Sequence, residues 1–245
     1  MSMMNYLLDL LYPPGCLSCE ELLLPGSQVP LCPACHGKWE ELRRIRCPSC
    51  KKPQTLCACV PDLLTNVNGD VECIHLVPYR NETIAGKLIL LGKDERLVHL
   101  TDFLADQLQL TLSARGVAIE DNHWVLTYLP RSRDRVLEKG IDQSRELAKA
   151  LGMRLNLPIS KCFDRRNAPP QKELNAQERF LSAQSTYWLR KQCPSVKGAH
   201  ILLIDDIITS GATMAAGCNL LFEAGAKKIY CISVGMTMDK NVQDE

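Results

Sequence analysis

Eight cysteines in four close pairs fall before residue 60, and an apolar core does not account for such spacing. The pairs are Cys16/Cys19, Cys32/Cys35, Cys47/Cys50 and Cys57/Cys59, three C-x-x-C knuckles and one C-x-C. A two-residue gap lets both thiolates of a knuckle reach one tetrahedral metal at about 2.3 Å, and Zn2+ takes four such ligands. Pro33 and Pro48 lie inside two of the knuckles, where a fixed φ helps the backbone turn around an ion. Eight thiolates suffice for two structural zinc sites. Sequential pairing would group Cys16, Cys19, Cys32 and Cys35 apart from Cys47, Cys50, Cys57 and Cys59; a cross-braced pairing would interleave them, and spacing does not choose. A disulfide framework competes with this reading but needs an oxidising compartment, and a redox-active dithiol needs one pair rather than four. His36, directly after Cys35, reads as a surface histidine. The other five cysteines, Cys73, Cys162, Cys193, Cys218 and Cys231, lack knuckle spacing and read as small hydrophobes or incidental thiols. So short a segment with few large apolar side chains cannot close a core alone, and metal binding would carry much of its folding free energy.

The rest of the chain has a different rhythm. Its 245 residues allow one α/β domain and a small appendage. After the turn-rich stretch Thr65 to Asp70, Cys73 to Val77 reads as a strand. Leu97, Leu100, Leu104, Leu108 and Leu112 stand at helical spacing within Arg96 to Leu112. His123 to Leu129 is a second strand ending at Pro130, and Asp142 to Leu151 is helical. His200 to Ile204 is a buried strand, Thr213 to Ala224 a helix closed by Gly225, and Lys228 to Val234 a final strand. This alternation predicts an α/β fold with a mostly parallel, doubly wound sheet, whose ligands sit at the carboxyl ends of the strands. The expected boundary lies at the linker: a cysteine-rich module over 1–65 and the α/β domain over 66–245. No internal repeat is evident. Met1 to Leu11 is apolar but lacks a basic start, carries Asp9 and runs into Tyr12-Pro13-Pro14, so it reads as a short capping helix rather than a signal peptide. No apolar run approaches the roughly 18–20 residues of a membrane span. The expected location is the cytoplasm, where thiols stay reduced and favour metal.

The segment from Ile201 to Thr213 carries the chemistry. Four apolar residues are followed by Asp205-Asp206, then Ile207-Ile208 and the small-residue run Thr209-Ser210-Gly211-Ala212-Thr213 opening a helix. Such a loop leaves its backbone N–H groups unshielded, and the helix N-terminus adds roughly half a positive charge, so a phosphate fits there. The hydroxyls of Thr209, Ser210 and Thr213 can add hydrogen bonds. Two carboxylates would repel that phosphate; they suit the hydroxyls of a ribose, or a metal held by a polyphosphate. A ribose 5-phosphate satisfies both halves. No Walker-type ATP loop occurs. The pattern resembles the signature of the type I phosphoribosyltransferases, which use phosphoribosyl pyrophosphate (PRPP).

Three further segments resemble the ComF family, the competence and DNA-utilisation proteins. They are Leu129-Pro130-Arg131-Ser132-Arg133-Asp134-Arg135 with Lys139-Gly140-Ile141-Asp142-Gln143; Arg166, Pro169-Pro170-Gln171 and Leu174 with Arg179; and Leu88-Ile89 with Lys93. Lys139 stands where that family usually has Arg, which keeps the charge and loses a bidentate fork. Ile141, Asp142 and Ala168 depart from its usual Phe, Asn and Thr. The resemblance implies a phosphoribosyltransferase domain behind a double zinc ribbon, and a transferase acting on an unidentified acceptor. It implies that Asp205 and Asp206 hold the ribose hydroxyls and Thr209 to Thr213 the 5′-phosphate. Arg131, Arg133, Arg135 and Lys139 would hold pyrophosphate with Mg2+, with Lys93 and Gln171 contributing to the same ligand. The alternative is a binding module that senses PRPP or a nucleotide while engaging single-stranded DNA or a protein of the uptake machinery. Overall charge is nearly balanced, yet residues 131 to 191 carry seven more basic than acidic side chains, enough for a local phosphate-binding patch. Aromatic residues are only 5% of the chain, and none is expected to interleave with the arginines after Pro130 as a stacking platform would.

Overall fold

The structure, a computed structural model, describes residues 9–91, 97–119, 123–166, 176–194 and 196–237. In chain order the helices are α1 (Pro33–Arg44), α2 (Asp62–Thr65), α3 (Ile84–Leu90), α4 (Leu97–Ala114), α5 (Arg133–Lys139), α6 (Gln143–Leu155), α7 (Ala176–Thr186) and α8 (Ala212–Glu223). The strands are β1 (Asp70–Pro78), β2 (Trp124–Tyr128), β3 (Phe163–Arg165), β4 (Tyr187–Leu189), β5 (His200–Ile204), β6 (Ile207–Ile208) and β7 (Lys228–Met236). The strands at 70–78, 124–128, 200–204 and 228–236 and the helices at 97–114, 143–155 and 212–223 follow the periodicity within a few residues. Of the expected capping helix, Asp9 to Leu11 are helical and Met1 to Leu8 lie outside the described residues.

The main sheet runs β1-β7-β5-β2, with β6 also on β7, and every pairing is parallel. Alternation along the strands sorts side chains onto two faces. Ile74, Leu76, Leu126, Tyr128, Leu202, Ile204, Tyr230 and Ile232 face α4 and α6 in one core, where Leu100, Leu104, Leu108, Leu147 and Leu151 meet them. Cys73, Val125, Ile201, Leu203, Ile229 and Cys231 face α8, the β3–β4 pair and Leu64 in the other. The sheet is therefore doubly wound, as the alternation predicts.

Local chemistry sets the helix ends near the strand termini. Thr83 caps α3 by accepting from Gly86 N–H at 3.4 Å, and Ser132 caps α5 from Arg135 N–H at 3.4 Å. Asp142 caps α6 from Arg145 N–H at 3.3 Å, and Gly140, at φ +77°, closes α5 in the left-handed region. Pro33 occupies the first turn of α1, and Arg43 and Arg44 its last, where their charge suits the helix dipole.

The cysteine-rich segment does not stand clear of the α/β part. Cys16, Cys32, Cys35 and the fully buried Trp39 share the first core, with the Trp39 ring edge-on to Phe103 at 5.8 Å between centroids. Two observations correct the sequence reading. Gly15–Leu22 and Arg46–Pro53 form the same turn 31 residues apart, each closed by an antiparallel bridge and each placing the residue after its second cysteine, Glu20 or Lys51, in the left-handed region. This is a short internal repeat, marked in the sequence by Cys16-Leu17-Ser18-Cys19 and Cys47-Pro48-Ser49-Cys50 at the same spacing. Cys162 and Cys193 are also paired in a disulfide rather than incidental: Arg190 N–H donates to Cys162 O at 2.8 Å, and the turn after β4 brings the two Cα atoms to 4.4 Å. Cys73, Cys218 and Cys231 are fully buried, as small hydrophobes would be. No helix among the described residues is long and apolar enough to cross a membrane.

Candidate functional site

The carboxyl ends of β5 and β2 are adjacent, because Tyr128 pairs with Ile204. Asp205 and Asp206 follow β5 directly, and the chain then rejoins β7 in the same register, with Ile204 opposite Ile232 and Ile207 opposite Gly235. Between these pairings Asp205 N–H donates to Ile232 O at 3.0 Å and Asp206 O accepts from Val234 N–H at 3.1 Å. The backbone of the acidic pair is thus fixed by the sheet, and each side chain takes a further partner from a neighbouring element.

Asp205 is held by α6. Its Oδ1 accepts from Ser144 Oγ at 2.9 Å and from Asp206 N–H at 2.9 Å. Burial, and then the neighbouring Asp206 carboxylate, push its pKa well above the usual carboxylate range. Asp206 instead pairs with the Arg131 guanidinium from the loop after β2. Asp142 caps α6 with Oδ1 and accepts from Arg131 N–H with Oδ2 at 3.2 Å. Its pKa is raised by burial, against the lowering effect of those two N–H donors. Gln143 Nε2 donates to the carbonyls of Ile89 and Leu91, both at 2.7 Å, so the start of α6 ties α3 to the site. A cavity of roughly 30 Å³, lined by Leu88, Ile89, Leu104, Gln143, Leu147 and Asp206 among others, lies between them.

The small-residue loop turns at Gly211, φ +78°, which is also the residue before the first turn of α8. None of the hydrogen bonds among the described residues uses the backbone N–H of Thr209, Ser210, Gly211 or Ala212. The 12-residue α8 stacks its dipole behind those donors. Thr209 is exposed, and Ser210 and Thr213 are half-buried.

The structure therefore brings together Asp205, Asp206, Arg131 and the loop Thr209 to Thr213. Arg133 and Arg135 lie on the exposed part of α5, and Lys139 ends that helix, with its side chain outside what is described. Lys93, Gln171, Ala168, the two prolines before Gln171 and Leu174 lie outside the described residues, as does the side chain of Arg179. Arg166 sits with its guanidinium 5.4 Å from the centre of the Trp188 ring, and Arg165 lies 5.2 Å from the centre of Tyr187. Cross-strand pairing of β3 and β4 makes these contacts, so aromatic rings do interleave with arginines, contrary to the expectation from linear sequence. Ser144 escaped notice because nothing in the sequence around it announces that α6 meets the end of β5.

The metal-ligand clusters are sequential. The Sγ atoms of Cys16, Cys19, Cys32 and Cys35 all lie within 4.8 Å of one another, as do those of Cys47, Cys50, Cys57 and Cys59. Cys19 and Cys32 are 3.6 Å apart and Cys47 and Cys59 are 3.7 Å apart. A tetrahedron with metal–sulfur bonds of about 2.3 Å has edges of about 3.8 Å, so four thiolates at these distances fit zinc. Burial opposes ionisation of Cys16, but backbone donors at Cys32, Ser18 and Cys19 outweigh it and bring its pKa to about 7. Cys50 reaches about 7 in the same way, through Lys52 and its neighbouring thiols, whereas burial and Cys47 raise Cys59 to about 11. His36 contacts Glu40 and Phe103 and is no ligand.

Comparison with known proteins agrees with this architecture. Residues 136–245 match the phosphoribosyl transferase domain family. The chain is 26% identical to competence protein ComFC of Bacillus subtilis over 83% of its own length and 82% of the relative's. It is also 26% identical to competence protein ComFC of Streptococcus pneumoniae, over 87% and 90%. A ribose-phosphate pyrophosphokinase of Thermococcus kodakarensis is 34% identical over 38% of this chain and 27% of that protein. Among solved structures, a hypoxanthine phosphoribosyl transferase of Trypanosoma cruzi aligns at 13% identity with a TM-score of 0.34, covering 59% of this chain and 69% of that one.

Proposed function

We propose that this chain, a ComF-family protein with a phosphoribosyl transferase domain, binds PRPP with Mg2+ and serves the use of incoming DNA, as the names of its competence relatives suggest. One observation carries the reading: the acidic pair and the open N–H loop are consecutive at the end of β5, where a ribose and its 5′-phosphate are likewise contiguous. In this reading the amides of Thr209 to Ala212 and the hydroxyl of Thr213 receive the phosphate, and Asp205 and Asp206 receive the ribose hydroxyls. Ser144 fixes Asp205 in place, and Arg131 is released from Asp206 to meet the pyrophosphate. Arg133, Arg135 and Lys139 add positive charge beside the leaving group, with Lys93 and Gln171 contributing to the same ligand. Transfer builds positive charge on the ribose ring and negative charge on the departing pyrophosphate, so paired carboxylates and cations stabilise its transition state from opposite sides. Mg2+ takes oxygen ligands and is commonly held through substrate phosphates; bound there it would neutralise the pyrophosphate.

The reading assigns residues 1–65 to a zinc module carrying two structural ions and 66–245 to the ligand-binding domain. It places the protein in the cytoplasm, where a reducing environment suits the eight thiolates and would leave Cys162 and Cys193 as an adjacent thiol pair. Thermal unfolding with PRPP, ribose 5-phosphate or pyrophosphate, each with Mg2+, tests it. PRPP at a hundred times its Kd should add about 2.7 kcal/mol, with each half-ligand stabilising more weakly. No stabilisation by any of the three contradicts the reading.

A second reading has its own observation. The Arg166–Trp188 contact, with Trp188 39% exposed, offers a cation and an aromatic face to an unpaired base. A non-catalytic single-stranded-DNA-binding module would use it. Trp188→Ala should then weaken binding of a labelled oligothymidine by about tenfold or more in fluorescence anisotropy. Equal binding by wild type and variant discards it.

A further inference from the structure

The second cysteine cluster is fastened at both ends of the segment 54–65. On the sheet side Gln54 is fully buried, donating from Nε2 to Ile45 O at 3.0 Å, with its Oε1 2.9 Å from His75 Nε2. Arg115, at the end of α4, donates to the carbonyl of the ligand Cys57 at 2.6 Å and to Cys73 O at 3.2 Å, and pairs with Glu72 at 2.5 Å. On the other side, only Val60 separates the ligand Cys59 from Pro61, the residue before α2.

That short helix is the floor of the small-residue loop. A Cβ on Gly211 would stand 3.1 Å from Pro61 Cβ and 3.4 Å from Leu64. Leu64 is 2% exposed and shares its core with Ile208, Met214 and Ala215, which flank the loop on both sides. A helix of four residues has no stability of its own. Its position comes from Cys59 upstream, from β1 downstream and from the packing of Leu64 against α8. The first cluster is built differently: its cysteines and Trp39 pack on the opposite face of the sheet, against the core of Phe103 and Leu100.

We infer that metal held by Cys47, Cys50, Cys57 and Cys59 positions the phosphate loop through Pro61 and Leu64, so that occupancy of this cluster, and not of the first, governs affinity for a phosphate ligand. The ligand half of this statement rests on the reading of 207–213 as a phosphate loop. Pro61 and Leu64 are positioning residues, acting through Gly211.

Hydrogen exchange of the zinc-loaded full chain, read over 207–215, tests the coupling without any ligand, and calorimetry with ribose 5-phosphate tests its consequence. Cys59→Ser should speed exchange over the loop by tenfold or more, while Cys19→Ser leaves it unchanged, each variant retaining one zinc by elemental analysis. If Cys59→Ser does not fold, Leu64→Ala carries the test. It keeps both zinc ions, yet should loosen the loop and weaken ribose 5-phosphate binding by tenfold or more. Leu64→Met should restore both, and Leu108→Ala, an equally buried change on the other face, should alter neither. A loop that loosens in Leu64→Ala, in a protein whose wild type does not bind ribose 5-phosphate, upholds the coupling and removes the ligand reading. Loop exchange that is the same in Leu64→Ala as in wild type overturns the coupling, whatever binds.

Discussion

At the scale of single residues, burial and the nearest charge together set how a titratable group ionises. His75 is fully enclosed beneath the second cysteine cluster, and burial, then the charge of Arg115, lowers its pKa to about 4. The neutral imidazole is the folded form. Its contribution is complete above the unfolded pKa of about 6.5 and is lost as pH falls through the folded value. Urea midpoints at pH 7 and pH 5 should show His75→Gln losing about 2 kcal/mol less stability than wild type over that interval. An identical loss in both chains, which share the same cysteine clusters, contradicts the assignment. Asp205 to Thr213 were legible in the sequence because they are consecutive and their chemistry is local. Ser144 and the pairing of Arg131 with Asp206 were not, since both depend on which helix and loop the sheet brings to the end of β5.

Among the elements, α3 shows how tightly the site is framed. It must pass so close to the preceding turn that a Cβ on Gly86 would lie 2.4 Å from the Asn81 carbonyl oxygen. Gly86→Ala should therefore cost about 1–3 kcal/mol of stability, measured by urea unfolding, despite the helix-favouring nature of alanine. An unchanged midpoint would mean that α3 shifts freely and does not brace Gln143. Elements with sustained periodicity, β1, β2, β5, β7, α4, α6 and α8, were readable from the chain. The β3–β4 pair was not, because three-residue strands leave too few positions for alternation, and their pairing spans more than twenty residues. The 31-residue repeat of the knuckles was legible in part: Cys16, Ser18 and Cys19 recur as Cys47, Ser49 and Cys50, while the left-handed backbone shared by the unlike residues Glu20 and Lys51 shows only in the structure.

For the molecule as a whole, two four-cysteine clusters sit on a parallel sheet whose carboxyl edge carries the acidic pair and the small-residue loop. Elemental analysis should find two zinc ions per chain. Chelation should release Trp39 from its contact with Phe103, with a red shift in tryptophan emission that Trp39→Phe lacks. An unshifted spectrum after both ions are removed would show that metal does not hold α1 to the core. The architecture followed from the alternation of strands and helices, but the sharing of one core by the first cluster and α4 did not, because no local pattern records which face a module covers. The central claim is the site at the end of β5, and calorimetric titration of PRPP with Mg2+ into zinc-loaded protein tests it most directly. The account predicts one site per chain and a loss of tenfold or more in affinity when Asp205 and Asp206 are both changed to Asn. A wild type that binds no PRPP, or a double variant that binds it equally well, contradicts it.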